Sequence, residues 1–206
     1  MGAEFGAGSG WHSVNIASVG PASKRVGGMA TVARMLRGSL ESLGHTVIEL
    51  DTIQPPFGLG SVVGVIRVCM RGTVSIAHVN VSAEGSIYRE ALICLLFRWF
   101  KVPYIVHIHS GRFFGFIRRH ASALVLAKAM LECSAGIITL GLVWRDELIK
   151  SFPECATKAR VIPNPVVRRP IANRNNANLI FIGNVIDAKG IFRLLHCFAR
   201  SQHCRE

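Results

Sequence analysis

The chain has 206 residues, half of them hydrophobic and 17% charged, and its 24 Lys and Arg against 12 Asp and Glu give a formal charge of +12. That balance excludes a disordered chain, which needs low hydrophobicity and high charge density, and the aperiodic Gly and Pro exclude collagen-like repeats. The length suits about 1.4 domains, and the basic excess points to an anionic partner: phosphate, nucleic acid or a membrane surface.

Residues 1–12 are Gly-rich and lack the basic and apolar regions of a secretory signal, so a flexible leader is expected there. Residues 14–19 (VNIASV) predict a first strand, followed by the loop GPASKRVGG at 20–28. Met29, Val32, Leu36, Leu40 and Leu43 then recur at helical spacing, and Gly44 is placed to stop that helix. A second strand is expected over 46–50, a short helix over 62–70, a third strand over 76–81 (IAHVNV) and an apolar helix over 87–100. YIVHIH at 104–109 reads as a fourth strand, entered through Pro103. A basic segment, 112–120, leads into a helix over 121–133. GIITL at 136–140 is a fifth strand, 142–150 a helix and 159–162 a sixth strand. Strand and helix alternate throughout, which is the pattern of an α/β fold: a Rossmann-like parallel sheet with helices on both faces.

Composition shifts at Pro163, where PNPVVRRPIANRNNAN reads as a linker. This divides the chain into a domain over 13–163, a linker over 164–178 and a second unit over 179–206, with a strand at 179–182 and a helix over 189–201. No run is apolar for long enough to span a membrane, because Arg98 interrupts 91–100 and Lys128 and Glu132 interrupt 121–142. The six cysteines form no CxxC and no zinc spacing, which points to a reducing, cytoplasmic compartment.

Several segments could carry chemistry. Gly27 and Gly28 open a helix directly after a strand and loop, where glycine lets a ligand approach the backbone and the helix end offers unpaired N–H groups to an anion. Lys24 and Arg25 add charge nearby. The strict GxGxxG pattern is absent, which disfavours a nicotinamide cofactor; the alternative is a plain loop with solvated basic residues. His107 and His109 share one side of the fourth strand at its C-terminal end, with His78 on the strand before. Open α/β sheets bind ligands at that end, so hydrogen bonding or proton transfer in a cleft stands beside structural histidines. A metal site would need a third ligand at fixed spacing, and none is evident. Asn164, between Pro163 and Pro165, reads as part of a rigid turn. In GNVIDAKG, at 183–190, Asp187 could cap the last helix and Lys189 could meet phosphate near its start, or the segment is an ordinary loop. In RFFGFIRRH, at 112–120, Arg112, Arg118, Arg119 and His120 mix with Phe113, Phe114, Phe116 and Ile117. That mixture suits an anionic membrane interface, single-stranded nucleic acid without any module signature, or a partly buried connector.

Taken in order, the GG before the first helix, IAHVNVS, VPYIVHIHSG, AGIITL, VIPNPV and FIGNVIDAKGIFRLL resemble the N-terminal half of a family-4, GT-B-fold glycosyltransferase, over residues 14–200. The resemblance implies retaining transfer from a nucleotide-sugar donor to a saccharide or lipid-linked acceptor, with no metal or other cofactor. It implies an acceptor held mainly by the first domain and a donor held mainly by the second. Gly27 and Gly28 would touch the donor diphosphate or the acceptor, and His109 would be catalytic, facing the donor sugar. His107 and Ser110 would lie beside it in the cleft, Asn164 at the interdomain crossing and Lys189 at the leaving diphosphate. The physical requirement is positive charge at a departing diphosphate, where one preorganised donor is worth about 2.7–4 kcal/mol.

Two departures stand out. Gly183-Asn184 occupies the place of the family's Gly-Arg, and the family's paired glutamates have no counterpart before residue 206. The expectation is a chain without most of its donor-binding domain and with little or no transferase activity alone. The competing reading is a non-catalytic module that binds an anionic membrane surface through Arg112 to His120, or a complementary subunit. A nucleic-acid partner rests on charge alone.

Overall fold

The computed structural model describes residues 12–53, 59–166, 179–183 and 185–201, so residues 1–11 of the expected leader and 167–178 of the expected linker lie outside the described residues. The chain divides into two compact units, Met1–Val166 and Val167–Glu206.

In the first unit the elements follow in the order β1 (Asn15–Gly20), α1 (Gly28–Ser42), β2 (Thr46–Asp51), α2 (Leu59–Met70), β3 (Ile76–Val81), α3 (Gly85–Trp99), β4 (Tyr104–Ile108), α4 (Arg112–Arg119), α5 (Ala121–Glu132), β5 (Gly136–Thr139), α6 (Leu142–Ser151) and β6 (Ala159–Val161). The six strands form one sheet in the order β2-β1-β3-β4-β5-β6, and every neighbouring pair is parallel. This is a Rossmann-like α/β domain. The chain moves outward from β1 to β2 and then returns past β1 to β3. The loops after β1 and β3 therefore leave in opposite directions, which makes a topological switch point between those two strands.

The two faces of the sheet are covered unequally. Ala17, Val19, Val79, Val81, Val106 and Ile108 alternate onto one face and form a single core with side chains of α2 through α6. Residues of period two from the same strands, Ile16, Ile76, His78, Ile105 and His107, point to the other face. There they line a cavity of about 440 Å³ together with Val32, Met35, Leu36 and Leu40 of α1. Among the described helices of this unit, α1 alone contributes nothing to the main core. It ends as its sequence predicts: Gly44 takes φ 85°, its N–H donates to the Glu41 carbonyl, and the His45 N–H donates to the Leu40 carbonyl.

The structure departs from expectation in both units. Residues 112–119 are themselves helical, and the chain breaks only at His120, whose φ −131° and ψ 103° are extended. The segment is helical because Phe113, Phe114 and Ile117 lie on one face at helical spacing and are buried in the core. Pro153–Lys158, before β6, forms a 3-10 turn that the periodicity did not signal.

Two corrections lie in the second unit. The strand expected at 179–182 does not form there. Leu179, Ile180 and Ile182 are exposed, and a strand without a partner has nothing to satisfy its backbone groups. A 3-10 turn at Asp187–Lys189 precedes α7 (Ile191–Arg200). Asp187 does not cap α7 with its side chain. The intervening turn puts Gly190 at the N-cap with φ 74°, and the Gly190 N–H donates to the Asp187 carbonyl at 2.8 Å.

Candidate functional site

The loop from β1 to α1 is held from both ends. Nε and Nη2 of Arg34, on α1, donate to the Ser23 carbonyl at 3.0 and 2.8 Å. The Ser23 N–H donates to Glu49 on β2 at 3.1 Å, and Arg25 pairs with Asp51 at 2.8 Å. Lys24 makes no hydrogen bond or ion pair with the described residues and lines a cavity of about 650 Å³ with Arg25, Gly27, Gly28 and Ala30. Gly27 is the N-cap of α1, with φ 137° and ψ 164°, a backbone conformation that favours glycine. It offers no side-chain cap, and no acidic residue stands in the first turn. The first intrahelical bond runs from the Thr31 N–H to the Gly27 carbonyl. The amides of Gly28, Met29 and Ala30 thus emerge at a bare helix end, beside an uncompensated lysine, where the helix dipole favours negative charge.

A line of polar side chains crosses the C-terminal ends of β3 and β4. His78 Nε2 and His107 Nδ1 are 3.2 Å apart. The His107 and His109 rings lie against each other, with centroids 3.9 Å apart and planes tilted by 35°. His109 Nε2 lies 2.9 Å from Asn80 Oδ1, and Asn80 Nδ2 donates to the Val19 carbonyl at 2.9 Å. The His109 backbone N–H donates to the Val81 carbonyl at 2.8 Å, extending the β3–β4 ladder by one residue. Burial lowers the pKa of His78 from 6.5 to about 4. Burial, then the neighbouring His78, lowers His109 to about 4. His107 is lowered by burial and by both neighbouring imidazoles. At neutral pH all three rings are uncharged, able to hydrogen-bond and unable to supply positive charge. His78 Nδ1 and His107 Nε2 are buried without partners. Among the described residues no group of three or more His, Cys, Asp or Glu is arranged to hold a metal ion.

The expected site residues thus fall into separate places. His107 and His109 come together, as their spacing predicts. Gly27 and Gly28 share their cavity with Lys24, and His109 is not among the residues that line it. Ser110 is occupied locally: its hydroxyl accepts from the Arg112 N–H at 3.2 Å, at the start of α4. Asn164 is exposed on the stretch after β6, and Lys189 is exposed in the turn before α7. The membrane surface expected from Arg112 to His120 loses its apolar half, because Phe113, Phe114 and Ile117 are inside the core. Arg112 pairs with Glu84 at 3.3 Å and Arg118 pairs with Glu147, so much of the segment's charge is also spoken for. Among the described residues no helix is long and apolar enough to cross a membrane.

Asn80 and Gly20 escaped the sequence reading. The signal was present: Asn80 lies two residues after His78 on the same strand, hence on the same face and nearer the ligand-binding end.

Comparison with known proteins adds little at the level of sequence. No family model matches the chain, and no curated protein matches it. One solved structure with a similar arrangement is Anabaena Alr3699/HepE in complex with UDP and glucose. The two share 14% identity at a TM-score of 0.49, over 74% of this chain and 45% of that one. The chain therefore spans less than half the length of that protein.

Proposed function

We propose that the protein takes part in retaining transfer of a sugar from a nucleotide-sugar donor to a saccharide or lipid-linked acceptor, as its resemblance to family-4, GT-B-fold glycosyltransferases implies. Residues 13–163 serve as the acceptor-side lobe, and residues 179–206 begin the donor side. The observation that carries this reading is the bare N-terminus of α1, open on a cavity of about 650 Å³ with Lys24 beside it. Preorganised N–H groups and a lysine at the carboxyl end of a parallel sheet suit a diphosphate. They act on the charge that builds there as the glycosidic C1–O bond of the donor breaks and C1 becomes oxocarbenium-like. His109, neutral and half-buried, suits contact with a sugar hydroxyl rather than with phosphate. Asn164 takes the role at the end of the first domain that the resemblance implies, in the cytoplasm. Asn184 replaces the family's arginine, so turnover by this chain is expected to be weak.

Calorimetric titration of the full chain with UDP-, GDP- and ADP-sugars and with inorganic pyrophosphate tests the reading. At least one nucleotide sugar is expected to bind in competition with pyrophosphate. Lys24→Ala should weaken that binding about tenfold to a hundredfold, the value of one charge-assisted hydrogen bond. Failure of every nucleotide sugar and of pyrophosphate to bind overturns it.

A further inference from the structure

Asn80 sits between two groups with unequal freedom. The Val19 carbonyl can only accept a hydrogen bond, and it lies 2.9 Å from one end of the Asn80 amide. That end must therefore be the NH₂ group, since the reverse orientation would set two acceptor oxygens against each other. The amide oxygen is then directed at His109 Nε2, 2.9 Å away. An amide oxygen can only accept, so the proton between the two belongs to the imidazole. A neutral imidazole carries one ring proton. With that proton on Nε2, Nδ1 is left as the ring's lone pair.

We infer that Asn80 is a positioning residue: through its bond to the Val19 carbonyl it holds His109 in the Nε2–H tautomer and leaves Nδ1 as a hydrogen-bond acceptor for a ligand hydroxyl. The inference deepens the reading of His109 as a cleft residue and rests on it for the identity of the ligand. The backbone holds the arrangement from three sides. The His109 N–H is tied to the Val81 carbonyl at 2.8 Å. Asn80 pairs in register with His107 across β3 and β4, and the His107 ring lies against that of His109. Gly20 leaves the room that Asn80 occupies, since a methyl group there would stand 2.9 Å from Asn80 Cβ. His109 is thereby given a chemical task distinct from that of Lys24 and the start of α1: it accepts a proton-bearing group, while they carry the positive charge.

The tautomer is read directly from two-bond ¹H–¹⁵N correlations of the full chain labelled at its histidine rings. The His109 signals are identified by their loss in His109→Gln. The expected wild-type pattern at pH 7.5 is that of Nε2–H. Asn80→Leu removes the acceptor and should lose that pattern, giving a mixture or the Nδ1–H form. A merely space-filling role for Asn80 would leave the tautomer unchanged in Asn80→Leu, which keeps a branched side chain of similar shape. A wild-type His109 in the Nδ1–H form overturns the inference, and so does an unchanged pattern in folded Asn80→Leu. If Asn80→Leu does not fold, the wild-type spectrum still decides, because the inference requires the Nε2–H form there. The measurement uses the ligand-free protein, so a failure to bind nucleotide sugars leaves it standing, and a wrong tautomer leaves the diphosphate site standing.

Discussion

Gly20 and Asn80 approach so closely that a Cβ on Gly20 would lie 2.9 Å from Asn80 Cβ and 3.3 Å from its Nδ2. Gly20 also has φ 141°, which L side chains rarely adopt. Gly20→Ala therefore meets a steric and a conformational obstacle together and should cost about 1–3 kcal/mol of stability. Urea denaturation checks this, and an unchanged midpoint would show that the end of β1 relaxes freely.

Gly27 and Gly28 separate a structural from a functional need for glycine. Gly27 has φ 137°, whereas Gly28 has no positive φ and open space around its would-be Cβ. Gly27→Ala should lose about 1–3 kcal/mol through backbone strain. Gly28→Ala should leave stability within about 0.5 kcal/mol, as a surface substitution does, yet weaken phosphate binding by pushing the ligand off the helix end. Paired measurements of denaturation midpoint and pyrophosphate affinity test both halves. Equal losses of stability would show that neither glycine is kept for the ligand.

The buried histidines predict acid sensitivity. His78 and His109 have pKa values lowered from 6.5 to about 4, and His107 is shifted the same way. The unfolded chain takes up these protons at higher pH than the folded one. The stabilisation is therefore complete above pH 6.5 and is lost as pH falls towards 4, at about 1.4 kcal/mol per pH unit for a fully buried ring such as His78. Denaturant midpoints across that range should decline with acid. A flat profile would contradict the burial of the three rings.

Glu90 acts in the opposite sense. It is 1% exposed; its Oε1 accepts from the Thr52 hydroxyl at 2.8 Å, and its Oε2 is buried without a partner. Burial raises its pKa from 4.5, against the opposing effect of Arg89 and the Thr52 hydroxyl. The protonated form is favoured in the fold, so its stabilisation is full below pH 4.5 and is lost as pH rises through the raised folded value. Glu90→Gln should be more stable than wild type at pH 8, with the difference shrinking towards pH 4.5. It should also steepen the acid decline set by the histidines, because the regain from Glu90 is gone. A variant less stable than wild type at pH 8 would contradict this.

The sheet was legible because its signals are local. Ile76 to Val81 and the histidine pair of β4 alternate at period two, and Gly44 stops α1 where its sequence predicts. The unequal cover of the sheet was not legible. It follows from the strand order, which decides on which face each crossover lies, and strand order depends on contacts between residues far apart in the chain. The same limit hid the fate of Phe113 and Phe114. An aromatic and basic stretch looks alike whether its rings face lipid or a core supplied by α3 and α5. The spacing from His78 puts Asn80 on the same face, but an asparagine within a strand does not by itself mark a site. Its significance comes from Val19 on one neighbouring strand and His109 beyond the other. The stretch expected as a strand at 179–182 has the right composition but no partner among the described residues.

The most direct test of the account is an amide-shift map of the ¹⁵N-labelled full chain titrated with a nucleoside diphosphate and its sugar conjugate. The diphosphate is expected to shift the amides of Lys24, Gly27 and Gly28, and the sugar conjugate to add a shift at the His109 amide. Shifts confined to other parts of the sheet, or none at saturating ligand, would contradict it.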